Sequence, residues 1–107
     1  MNSVSLEKGF NNSKLFFSKN ELTKIFSCYS LGVSRGNWKD YWIDFKKNKA
    51  SFFMYKHTNS SPDCILTKLK KNKIYYILEI KNIKKNNSRK LDDLIIILKR
   101  KNLKIVQ

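Results

Sequence analysis

The sequence predicts an α+β fold: an N-terminal helix, a four-stranded antiparallel meander sheet and a C-terminal helix, with both helices on one sheet face. Three observations predict it. Residues 38 to 55, WKDYWIDFKKNKASFFMY, alternate with a period of two around a polar tetrad, as a hairpin does. Two more period-two runs follow, joined by short connections that favour a meander. Apolar residues at helical spacing then flank the strand block on both sides. The 107 residues suffice for one domain and are too few for two, and 41% of them are hydrophobic, enough to bury a core.

Residues 1–14 are polar and read as a flexible leader; residues 15–107 read as the single domain. The first helix has a sharp start. Ser18 and Glu21 make a capping box, with Phe17 and Leu22 as the hydrophobic staple. Leu22, Ile25, Phe26 and Tyr29 follow the helical stripe, with Val33 further along it. Gly36 is the natural stop, and Gly32 an earlier one.

In the hairpin, Tyr41, Ile43 and Phe45 share one face of the first strand; Asp40, Trp42 and Asp44 share the other. Ala50, Phe52 and Met54 alternate with Ser51, Phe53 and Tyr55 on the second strand. The tetrad Lys46 to Lys49 forms the loop, with Asn48 suited to positive φ. Residues 57–63, HTNSSPD, form a turn. The third strand spans Cys64–Leu69, a basic turn holds Lys70 to Lys73, and the fourth strand spans Ile74–Ile80. Residues 81–88 read as a polar loop. A second helix starts near Ser88 or Arg89, with Asp92 and Asp93 in its first turn and Leu91, Leu94, Ile95 and Leu98 at helical spacing. The β-branched run Ile95 to Ile97 keeps a strand open there, and Leu103, Ile105 and Val106 suggest a short terminal strand. The expected core is Leu22, Ile25, Phe26, Tyr41, Ile43, Phe45, Phe52, Met54, Ile65, Tyr76, Leu78, Leu94 and Leu98.

The formal net charge is +15. That charge points to an acidic partner, nucleic acid or acidic protein. A second source exists: only Arg35, Arg89 and Arg100 among the 23 basic residues are arginine. Abundant Lys, Asn and Ile suit an AT-rich genome, and arginine is the residue favoured for bidentate phosphate recognition. Lys46, Lys47 and Lys49, with Lys70, Lys71 and Lys73, fall in two hairpin loops expected at one end of the meander. Trp42, Phe53 or Tyr75 beside them would suit base stacking. Six lysines on phosphates would cost about five decades of affinity per decade of salt.

Catalytic signals are thin. Asp40 and Asp44 flank Trp42 on one strand face, an arrangement usable in acid–base chemistry or sugar binding, and equally explained by exposed charge pairs with lysines. His57 has no triad spacing, and Cys28 sits on a helix with no activating neighbour. No phosphate loop or metal-ligand cluster is present, so no cofactor and no metal are expected. Cys28 and Cys64 read as buried thiols in a reducing compartment. No secretory signal or membrane span appears, and a cytoplasmic location is expected.

From Phe17 to Val106 the order of residues resembles DUF2794, an alphaproteobacterial family of unknown function. The residues that carry it are Glu21-Leu22, Ile25, Tyr29, Val33, Gly36, the run Trp38-Lys39-Asp40-Tyr41 and Ile43-Asp44. Phe52-Phe53, Ser60-Ser61-Pro62 and Leu91-Asp92 to Leu98 follow in the family's order. The run Gly36 to Asp44 is its most specific part, and makes Gly36, Trp38, Asp40, Tyr41, Trp42 and Asp44 the candidate motif site. Asn37 stands where the family has an acid, and lysines replace many arginines. The resemblance implies a cytoplasmic, alphaproteobacterial protein and brings no catalytic residues. The expected function is a non-catalytic binding or accessory module for an acidic partner, nucleic acid first. The alternative is a structural or homodimeric protein-interaction module; enzyme activity has least support.

Overall fold

The computed structural model describes residues 14–81, 83 and 85–103. The elements are α1 (Lys19–Ser34), β1 (Asp40–Lys46), β2 (Lys49–Tyr55), β3 (Cys64–Lys71), β4 (Lys73–Ile80), β5 (Lys85–Ser88) and α2 (Leu91–Leu103). The fold is α+β, as the sequence predicts, with five strands where four are expected. They form one antiparallel sheet in the order β1-β2-β3-β4-β5. The extra strand lies inside the expected polar loop. Its residues, Lys-Asn-Asn-Ser, offer no apolar alternation, and β5 is held by backbone pairing to β4, Leu78 opposite Asn86 and Tyr76 opposite Ser88. The leader's first 13 residues, Lys84 and the suggested strand through Ile105 and Val106 lie outside the described residues.

Helix α1 begins as its sequence predicts. Glu21 N–H donates to Ser18 Oγ at 3.1 Å, and Ser18 N–H donates to Glu21 Oε1 at 2.7 Å. It ends at Ser34, with Gly36 at φ 78° as the left-handed residue. Gly36 N–H donates to the Val33 carbonyl and Asn37 N–H to the Gly32 carbonyl, a Schellman closure. Gly32 does not end the helix. It is buried within it, where any Cβ would lie 2.2 Å from the Trp38 ring. Trp38 is 1% exposed and stacks on Tyr29, ring centroids 6.0 Å apart.

The register sorts the sheet into two faces. Tyr41, Ile43 and Phe45 pair with Met54, Phe52 and Ala50. Those in turn lie opposite Cys64, Leu66 and Lys68, then Ile80, Leu78 and Tyr76. The two helices pack on this face, through Ile25, Cys28, Leu91, Leu94, Ile95 and Leu98. Phe26 and Tyr29 meet Phe52 and Tyr41 edge-on. Helix α2 settles the Ile95–Ile97 ambiguity in favour of the helix, because Leu91, Leu94, Ile95 and Leu98 are all buried on one stripe.

Two core assignments change. Ile65 lies on the opposite sheet face, because Cys64 pairs with Met54 and so Leu66 turns inward. Both faces of β3 are equally apolar in sequence, so alternation alone does not fix which is inside. Tyr41 is inward-facing yet 41% exposed, since β1 is an edge strand. Val33, on the stripe predicted for α1, is also exposed, in the last turn of that helix.

Candidate functional site

The hairpin turns are shorter than the expected tetrads. Lys46 pairs with Lys49, leaving Lys47 and Asn48 as the turn, and Lys71 pairs with Lys73 around Asn72. Asn48 and Asn72 adopt φ of 62° and 67°, the left-handed conformation that asparagine tolerates. The first turn meets the end of β3: Lys70 N–H donates to the Asn48 carbonyl at 3.0 Å. The six candidate lysines, Lys46, Lys47, Lys49, Lys70, Lys71 and Lys73, are therefore brought together at one end of the sheet, all exposed. Of these six, Lys46 alone has an ion-pair partner among the described residues, Asp44 at 3.6 Å.

This end runs onto the sheet face that the helices leave open. Across the strands, Lys46, Lys49, Leu69 and Tyr75 form one outward row. Asp44, Ser51, Thr67, Ile77 and Asn87 form the next. Trp42, Phe53, Ile65, Glu79 and Lys85 form the third. No described helix lies over these rows. Ser51 and Thr67 are buried among their neighbours, their hydroxyls 3.4 Å apart, so the centre of the face presents no free polar group. Trp42 stands out from it, 62% exposed. Beyond Trp42 a shallow hollow is lined by Asp40, Tyr55, Thr58, Asn59 and Ser60. Its loop was visible in sequence as turn composition; its folding back beside Trp42 was not.

The motif run Gly36 to Asp44 divides between two jobs. Gly36 closes α1, Trp38 is buried, and Tyr41 packs on Phe52 at 5.3 Å between centroids. Trp38 Nε1–H donates to Asp63 at 2.9 Å, and Lys101 approaches the same carboxylate at 3.7 Å. These residues lock β1, the β2–β3 loop and both helices together. Asp40, Trp42 and Asp44 instead face outward. Asp40 accepts from the Tyr41 N–H at 2.8 Å, capping a donor on the edge strand. Among the described residues the carboxylates thus meet partners on their own strand.

His57 does not line the hollow that contains Asp40; its carbonyl accepts from Ser60 Oγ at 2.8 Å. Cys28 and Cys64 are free and buried. Burial pushes the Cys28 thiol up to about 11, and burial together with the Asp63 charge pushes Cys64 to about 12, so neither is a thiolate at neutral pH. Among the described residues no cluster of His, Cys, Asp and Glu could hold a metal ion, and no helix is long and apolar enough to cross a membrane.

A buried charge network escaped the sequence reading. Lys68 Nζ donates to Glu21 Oε1 and to the Phe16 carbonyl, both at 2.9 Å, and Tyr76 Oη donates to Glu21 Oε2. Burial raises the Glu21 carboxyl, but hydrogen bonds from Lys68, Tyr76 and the Ser18 N–H outweigh it and hold the group below its ordinary value. Burial, then the bond to Glu21, pushes the Tyr76 hydroxyl upward. Every member has a partner inside the fold, so the network joins α1 to the sheet; with Ile65 read as inward, Lys68 falls on the outer face, and only the pairing of β3 with β2 turns it inward.

One family model matches the chain, over residues 15–94: DUF2794, described as a protein of unknown function. No curated protein and no solved structure matches.

Proposed function

We propose, for a chain that belongs to the DUF2794 family, a non-catalytic role as a binding module for an acidic partner, with nucleic acid as the partner. One observation carries the reading: the register sets two hairpin turns side by side and gathers six exposed lysines at one sheet end. Such a concentration of positive charge attracts a polyphosphate backbone and gains from the counterions it releases. The ammonium groups act as point charges, so the reading is of backbone binding without sequence preference. The inert thiols and the separation of His57 from the Asp40 hollow support a role without catalysis. We read the protein as cytoplasmic, with two unpaired buried cysteines in support.

The test is salt-graded binding to RNA and DNA oligonucleotides. Engagement of all six lysines gives a loss of roughly four decades of affinity per decade of salt on single strands. Changing Lys47, Lys71 and Lys73 together to Gln lowers that slope by about two. Absence of binding at low salt removes this reading.

A homodimeric or protein-docking module is the second reading, favoured by the apolar open face and the exposed β1 edge. A dimer by light scattering at low concentration supports it.

A further inference from the structure

The open sheet face carries more than charge. Trp42 and Phe53 lie directly opposite each other on neighbouring strands, on the outward side, with Ile65 next in the row. Such cross-strand neighbours have Cβ atoms about 5 Å apart, close enough to form one adjoining aromatic surface. Tyr75 lies in the outward row that holds Lys46 and Lys49, the row that begins the lysine end. From Lys46 to Trp42 is four residues along β1, roughly 13 Å of extended strand. Between the two rows the centre of the face offers no free polar group, because Ser51 and Thr67 are buried and meet each other, with Asp44 and Asn87 at the two ends of that row.

An exposed indole costs the protein solvation unless something covers it, and the surrounding charges restrict what that can be. A second copy would set its own surplus of lysines against this one, with Lys46, Lys49 and Lys85 against Asp44 and Glu79 on the three outward rows and four more lysines at their end. A polyanion removes that repulsion. Yet Asp40 and Asp44 flank Trp42 on the same face, one on each side. Phosphates are repelled at that point, so the part of a polyanion that can sit on Trp42 is uncharged and flat.

We propose that this face takes single-stranded nucleic acid, with bases stacked on Trp42 and Phe53 and phosphates running toward the lysines at the hairpin end. The inference rests on the polyanion reading above and adds to it the strandedness of the ligand. In a duplex the bases face one another and cannot reach the indole; in a single strand every base offers a face. Ribose and deoxyribose strands share that chemistry, so RNA and DNA arms separate the two sources.

The two tryptophans make the test direct. Trp38 is 1% exposed and Trp42 is 62% exposed, so a ligand that changes tryptophan emission acts on Trp42. The full chain is titrated with a 12-nucleotide single strand of RNA, the same strand of DNA, the matching duplexes, and heparin as a base-free polyanion. Single strands quench the emission and bind more tightly than duplexes; heparin binds without quenching. Trp42→Phe removes the quench, and Trp42→Ala or Phe53→Ser weakens single-strand binding about ten-fold while leaving duplex and heparin binding unchanged. Trp42 is exposed, and its far-UV spectrum and unfolding midpoint report whether the variant is folded. Equal, salt-sensitive binding of single strands, duplexes and heparin, unaltered by Trp42→Ala, overturns the stacking proposal and leaves the lysine reading standing. No binding of any polyanion at low salt overturns both.

Discussion

Adding one methyl group at Gly32 sets two opposed effects against each other. Alanine in a helix interior is favoured over glycine by about 1 kcal/mol. The new Cβ, however, would meet the Trp38 ring at 2.2 Å, and that ring is enclosed by Tyr29 and tied to Asp63. Overpacking of this kind costs about 1–3 kcal/mol or more, so Gly32→Ala is expected to destabilise the protein in urea unfolding. Lys68 offers a second residue-scale test. Its side chain is 9% exposed and that of Glu21 14%. Lys68→Met leaves the carboxylate buried without its partner, at a cost of about 3 kcal/mol at pH 7. The pH dependence then changes sign. In the native protein Glu21 is held below its ordinary 4.5, so its contribution is present above that value and is lost as pH falls through the folded-state value. In Lys68→Met burial is left with less to oppose it and raises the Glu21 carboxyl. That variant therefore regains stability as pH falls from 7 toward 4, read from urea midpoints across that range. The two thiols, raised by burial, are expected to resist a thiol reagent at pH 8 until the protein unfolds.

At the scale of elements, the strands differ in what holds them. The central strands β2 and β3 bury side chains under the helices; β5 has four polar residues and one neighbour. Amide exchange is therefore expected to be fastest in β5 among the strands and slowest in β2 and β3. Equal protection across all five would contradict this ordering. Helix α1 depends on its reciprocal cap, and Ser18→Ala should cost about 1 kcal/mol. The same contrast explains what was legible in the sequence. A cap is a local device, so Ser18 and Glu21 announced α1 at its first residue. The β1–β2 hairpin was legible because only one face of β1 is apolar. Strand β5 was not, because its information lies in the backbone groups of β4 and not in its own side chains. The face of β3 is ambiguous at Ile65 for a related reason: Cys64 and Leu66 compete with Ile65 and Leu69, and only the pairing with Met54 decides. For the candidate site, the lysine turns were legible as loops at one end. The hydrogen bond from Lys70 in β3 to Asn48 and the hollow beside Trp42 depend on how distant segments fold back, which no local pattern encodes.

The whole molecule has two unlike sides. Helices α1 and α2 cover one sheet face and enclose Trp38, Phe52 and Leu78. The other face, among the described residues, carries Trp42 and Phe53 and runs onto the lysine end. The division follows from the register, since a slip of one residue would exchange the two faces. Function on this account belongs to the uncovered side, and stability to the covered one. Substitutions outside, at Trp42 or Lys71, should change ligand affinity with the unfolding midpoint within about 0.5 kcal/mol of the native protein. The most direct measurement of this division is an amide chemical-shift map of the full chain titrated with a 12-nucleotide single strand at low salt. Shifts are expected to concentrate at residues 42–49, 51–53 and 69–75, with α1 and α2 unmoved, as this division requires. Shifts concentrated on the helices, or none at all at saturating strand, would contradict it.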